Sequence, residues 1–212
     1  MIRRSTDRVQ DIIANLVTGQ RVLDLGCAEH EASRAREDTW LHGHLVKRAA
    51  SVVGVDRLPA QVAALQSEGY RVVVGDVCRL DLRHIGPFDV VVAGELLEHV
   101  DEPGPFLDGI REHLSPGGRL ILTTPHAYFA LHVLEAWWCD PVHRWNPEHV
   151  AWYEPFTLGD LLARHGFTVM EYVYMTRSRK LRFALRTLHL PCLPWLASTL
   201  LVVARLSRGN AA

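Results

Sequence analysis

Short apolar runs rich in Val, Ile and Leu recur along this chain, each followed by a longer stretch of mixed polarity. That alternation most constrains the fold. Strands that cannot return through a tight hairpin need a crossover, usually helical, and so lie parallel. Runs at 21–25, 51–56, 71–75, 88–93, 119–123, 168–174 and 200–205 predict seven strands. They lack strict polar alternation, as expected of strands covered on both faces. Helices are expected at 59–69, at 104–114 ahead of the turn Ser115-Pro-Gly-Gly, and at 157–165. In the last of these Leu158, Leu161 and Leu162 form a stripe that Gly166 ends. The expected class is therefore α/β, a doubly wound, mostly parallel sheet.

The 212 residues are enough for one domain with its own core, and the whole chain (1–212) reads as one. Two stretches exceed what minimal winding needs: 28–50, and 125–156, which is rich in aromatics and histidines and reads as a substrate-side insertion or lid. A net charge of -1 argues against nucleic acid as a partner. Cys27, Cys78, Cys139 and Cys192 form no C-x-x-C pair, which fits reduced thiols in a cytoplasmic protein. MIRRSTDR is followed by no apolar segment of a secretory leader, and 188–206 is interrupted by Pro191 and Pro194, so no membrane insertion is expected.

Three strand ends carry an acidic residue. VLDLGCAEH has Asp24 and then Gly26, where a glycine lets the backbone turn sharply toward a ligand. VVGVD ends in Asp56, placed to accept both hydroxyls of a ribose, and VVVGDV brings Asp76 to the next tip, within reach of an adenine amino group. A turn without ligand would explain the first alone, since Ala28 and His30 replace two glycines of a G-x-G-x-G loop. Three carboxylates in succession gain nothing from a core.

The ordered set VLDLGC, VVGVD, GDV, FDVVVAGELLEHV and LSPGGRLILTTP, over about residues 20–175, resembles class I S-adenosylmethionine methyltransferases. The resemblance implies a Rossmann-like seven-stranded sheet whose last strand, at 200–205, is antiparallel. It also implies S-adenosylmethionine as cofactor, with Asp24 and Gly26 at its methionine end, Asp56 and the adjoining Arg57 at the ribose, and Asp76 and Val77 at the adenine.

After the fourth strand, Gly-Glu-Leu-Leu-Glu-His-Val is expected to open a helix with Glu95, Glu98 and His99 at i, i+3 and i+4 on one face. Such a face is either a tridentate site for a divalent cation or a solvated helix N-terminus. The E-x-x-E-H pattern resembles two groups of metal-dependent O-methyltransferases, one acting on small-RNA ends and one on catechol hydroxyls in ubiquinone synthesis. The resemblance implies a further residue from the insertion, where DPVHRWNPEHVAWYEP offers His143 and His149. His149 is read as the fourth ligand and His143 as general base or substrate contact, and the two roles are interchangeable on sequence. Mg²⁺ suits the oxygen ligands, and the imidazoles also admit Mn²⁺ or Zn²⁺.

The function expected is metal-assisted O-methylation of a vicinal diol on a small-molecule or saccharide acceptor. Its competitors are a metal-free enzyme for a natural product or quinone precursor, with a histidine base, and a catalytically silent cofactor-binding partner in an oligomer. A dinucleotide oxidoreductase would need the glycines of G-x-G-x-x-G that are missing here.

Overall fold

The computed structural model describes residues 1–28, 38–138 and 146–207. The chain runs β1 (Ile2–Arg4), α1 (Val9–Leu16), β2 (Arg21–Leu25), α2 (Leu41–Val46), β3 (Ser51–Asp56), α3 (Pro59–Ser67) and β4 (Val72–Val74). It continues β5 (Phe88–Gly94), α4 (Pro103–His113), β6 (Leu114–Pro125), α5 (Ala130–Trp138), α6 (Pro155–Arg164), β7 (Phe167–Met175), α7 (Arg179–Thr187) and β8 (Thr199–Leu206).

These strands form one sheet in the order β1-β7-β8-β6-β5-β2-β3-β4. β8 is antiparallel to both β6 and β7, and the other neighbours are parallel. From β2 the chain winds outward through β3 to β4, then returns to the other side of β2 as β5. The crevice at the carboxyl ends of β2 and β5 is thus the topological switch point, where doubly wound sheets take their ligands.

Two apolar layers cover the sheet. Leu23, Leu25, Val91 and Leu120 point into one, with Phe106, Leu107 and Ile110 of α4. Val22, Val90, Val92 and Ile121 point into the other, with Ile12 and Ile13 of α1. Alternate residues of β2 therefore serve opposite faces, as the strand period requires.

The sheet has eight strands, one more than the seven expected. β1 is three exposed residues that pair with β7 (Ile2 opposite Tyr172), so it has no apolar run to betray it. A larger correction concerns the residues after β5. No helix opens at Gly94. Glu95 has φ 49°, outside the helical region, and only Leu97–His99 forms a single 3-10 turn. The helix α4 starts later, with Pro103 in its first turn, where a missing N–H costs nothing.

Gly54 in the middle of β3 is a packing requirement. A Cβ there would lie 2.6 Å from Cys27 Sγ, 2.7 Å from Val72 Cγ1 and 2.9 Å from His42 Cε1. Because all three neighbours are buried, Gly54→Ala is expected to lower stability by about 1–3 kcal/mol through overpacking. Thermal or urea denaturation reads this directly, and an unchanged midpoint would show that the three side chains yield freely.

Candidate functional site

A cleft of about 1090 Å³ opens at the switch point. The loop after β2 forms one wall. Gly26 has φ +71°, a left-handed conformation that a side chain would strain, and a Cβ on it would also meet Leu96 Cδ1 at 3.0 Å. Asp56, at the tip of β3, is buried; its Oδ2 accepts from the Ala28 N–H (2.9 Å) and its Oδ1 from the Leu58 N–H (3.1 Å). Its carboxylate thereby ties together the loops after β2 and β3. Asp76 is exposed and caps the 3-10 turn Val77–Arg79 by accepting from the Cys78 N–H (2.9 Å). Gly26, Asp56, Arg57, Asp76 and Val77 all line the cleft.

Asp24 differs from the expectation. It is buried beneath the cleft, outside its lining, where Oδ2 meets His42 Nδ1 at 2.8 Å. Burial raises its pKa, and the His42 hydrogen bond works against that rise. His42 is itself buried, tilted against Trp40 with ring centroids 5.3 Å apart and edge-on to Tyr70 at 5.8 Å. His42 is one of three histidines in the long segment after β2, with His30 and His44, and carries no periodic or motif signal that sets it apart as the partner of Asp24.

Next to His99, which lines the cleft, Glu98 lies outside the lining and is 1% exposed, and neither carboxylate oxygen has a hydrogen-bond partner among the described residues. Burial, then the nearby Glu95 carboxylate, push its pKa up to about 8. The insertion reaches this point through backbone bonds, because the Val150 and Ala151 N–H groups donate to the Glu98 carbonyl at 2.9 and 3.4 Å. That contact sets His149 beside His99, with ring centroids 4.8 Å apart. His99 Nδ1 lies 3.2 Å from the Glu148 carbonyl, which orients its ring. His149 Nδ1 is buried and without a hydrogen-bond partner among the described residues, and burial followed by the field of His99 lowers its pKa. One ligand atom each from Glu98, His99 and His149 lies within 4.8 Å of the others.

Glu95 is not in that group. Its Oε2 accepts from Arg177 Nη1 at 3.0 Å, and its backbone N–H donates to Thr123. Of the four ligands expected, Glu98, His99 and His149 come together and Glu95 stands apart. The left-handed turn at Glu95 breaks the helical spacing that would have aligned the first of them. His143 lies outside the described residues.

The profile of the methyltransferase domain family matches residues 1–172, most of the chain. The chain belongs to the S-adenosylmethionine-dependent methyltransferases. Among sequence relatives, the ubiquinone biosynthesis O-methyltransferase of Nitrobacter winogradskyi is 31% identical over 160 residues, covering 71% of this chain and 56% of that protein. The enzyme of the same name from Xylella fastidiosa strain 9a5c is 30% identical, covering 66% and 56%. The methyltransferase thus spans little more than half the length of these relatives. Its fold matches an S-adenosylmethionine-dependent methyltransferase from Mesorhizobium loti, with TM-score 0.60, 20% identity, and 95% and 100% of the two chains covered. It also matches the magnesium protoporphyrin IX methyltransferase of Synechocystis PCC 6803, solved with S-adenosylhomocysteine, at TM-score 0.64 and 16% identity over 93% and 82% of the chains. Among the described residues, no helix of the methyltransferase is long and apolar enough to cross a membrane.

Proposed function

We propose that this methyltransferase is an O-methyltransferase that uses a divalent cation, held by Glu98, His99 and His149, to act on a small acceptor with vicinal hydroxyls. The observation that carries this reading is the orphaned carboxylate of Glu98. A buried carboxylate without hydrogen bonds is costly, and a cation is the partner that would make it stable. The donor set fits a cation: one carboxylate and two imidazoles suit Zn²⁺ or Mn²⁺ better than Mg²⁺, which favours oxygen ligands. The cofactor side fits as well, since Gly26, Asp56 and Asp76 line one cleft at the carboxyl ends of the strands.

When bound, a divalent cation supplies acidity to an otherwise weakly nucleophilic hydroxyl. The chain's own residues do the rest. Gly26 borders the methionine end, Asp56 faces the ribose hydroxyls, and Asp76 with Val77 borders the adenine. Arg57 extends the wall at the ribose. Glu95, held by Arg177, contributes a fixed negative field beside Glu98 and stays out of the ligand set. Because Glu95, Leu96 and His99 line the same cleft as Gly26 and Asp56, acceptor and sulfonium would share one enclosure, and proximity provides much of the rate.

The relatives' names favour a hydroxyl acceptor of the catechol kind over the saccharide that sequence reasoning preferred. The test is methyl transfer from S-adenosylmethionine to a catechol and to a methyl glycoside, each with and without chelator. Transfer to a vicinal diol that stops on chelation is expected. Transfer that survives exhaustive chelation would favour a histidine base without metal, and cofactor binding with no transfer to any diol would favour a silent subunit.

A further inference from the structure

No Asp or Glu follows Glu171, whereas Arg177, Arg179, Lys180, Arg182 and Arg186 crowd one short segment. Within it, α7 turns buried Leu185 and half-buried Leu181 to the protein. Phe183 is two residues from each, hence on the opposite side of the helix. A helix face turned to water is normally polar, yet Phe183 stands there 74% exposed. Arg179, Lys180 and Arg186 surround it at i−4, i−3 and i+3.

The apolar surface continues past the helix end. The Leu188 and Leu190 N–H groups donate to the carbonyls of Ala184 and Leu185 at 3.0 and 2.9 Å, which holds both residues against the last turn. Both side chains are exposed, as is Trp195 farther on. Arg186 is paired with Asp7, but Arg179 and Lys180 have no acidic partner among the described residues. Burial, followed by the like charges of Arg8, Arg186 and Arg179, depresses the Arg182 pKa against the opposing pull of Asp11.

We propose that the α7 face centred on Phe183, together with Leu188 and Leu190, docks the protein on the surface of an anionic lipid bilayer. Apolar tips set beside Arg179 and Lys180, neither of which has an acidic partner among the described residues, match the boundary between anionic headgroups and acyl chains. A second copy of the chain is a poor fit. A two-fold contact through Phe183 would bring Arg179 and Lys180 against their own counterparts, and Asp7, the acid beside this face, is already engaged by Arg186. Arg177 and Arg182 of the same segment line the cleft, so docking would hold its mouth beside the bilayer.

The test is co-sedimentation of the full chain with vesicles of phosphatidylcholine containing about one third phosphatidylglycerol, against pure phosphatidylcholine, at low and high salt. Binding only to the anionic vesicles, weakened by salt, is expected. Phe183→Ser should reduce it by about tenfold or more through lost apolar burial, and the pair Arg179→Glu and Lys180→Glu by at least about twenty-fold through lost attraction. All three positions are on the surface, and an unchanged melting temperature confirms that each variant folds. Equal sedimentation with both vesicle types, or anionic binding that Phe183→Ser leaves intact, would overturn the proposal. So would a concentration-dependent dimer abolished by Phe183→Ser without any vesicle binding, which would make the face a self-association surface.

Discussion

Glu98→Ala is expected to lower turnover by at least about a hundredfold while leaving affinity for S-adenosylhomocysteine nearly unchanged, because the loss removes a cation ligand on the acceptor side of the cleft. His149→Ala should behave alike. The physical driver is the buried Glu98 carboxylate, whose pKa is pushed up to about 8 by burial and by Glu95. In the absence of a cation the folded protein therefore binds a proton that the unfolded chain releases at the ordinary glutamate value of 4.5. This contributes stability present below pH 4.5 and lost as pH rises through about 8. A cation replaces the proton, so Mn²⁺ should raise the melting temperature more at pH 8 than at pH 6, and Glu98→Gln should flatten that difference. Calorimetry showing full cation binding in folded Glu98→Ala would remove Glu98 from the site. Activity near that of the unaltered protein in the same variant would return the mechanism to a histidine base.

The second large effect is expected at Asp56. Loss of its charge-assisted contacts to the ribose hydroxyls is worth about 1.5–3 kcal/mol, so Asp56→Ala should weaken S-adenosylmethionine binding by roughly one to two orders of magnitude. The same carboxylate accepts from the N–H groups of Ala28 and Leu58, which means the alanine variant also loosens both loops that border the cofactor. Asp56→Asn gives an intermediate case. Its amide keeps one oxygen for a backbone N–H but sets its NH2 against the other and gives up the charge, so affinity and melting temperature should both fall between those of the unaltered protein and Asp56→Ala. Titration calorimetry with S-adenosylhomocysteine measures this, and unchanged affinity in a folded Asp56→Ala protein would place the ribose elsewhere.

Much of the sheet was legible residue by residue. Val52, Val53 and Val55, or Val90, Val91 and Val92, are buried on both faces, so they read as continuous apolar runs without turn chemistry inside. The acidic residues at strand ends were legible for the complementary reason that nothing in a core calls for them. Asp56, Asp76 and the glycine at position 26 all reach the cleft lining. β1 and α7 were not legible as elements. β1 is an exposed edge strand whose conformation comes from its pairing with β7, and α7 shows a basic surface with one aromatic residue where a stripe would be sought.

The site divides along the same line. Local sequence determined which residues could carry chemistry, because strand ends, an acidic tip and a Glu–His pair are readable within a few positions of one another. How they meet was decided in three dimensions. A left-handed residue at Glu95, bonded to Thr123 and Arg177, rotates that carboxylate away from the helical register that spacing implies. Asp24 turned inward because a histidine from α2, eighteen positions on, fills the space beneath it. His149 joined Glu98 and His99 because two backbone N–H groups of the insertion found the Glu98 carbonyl. A sequence pattern records periodicity and local bonding, whereas these three outcomes depend on backbone torsion and on contacts between segments far apart in the chain.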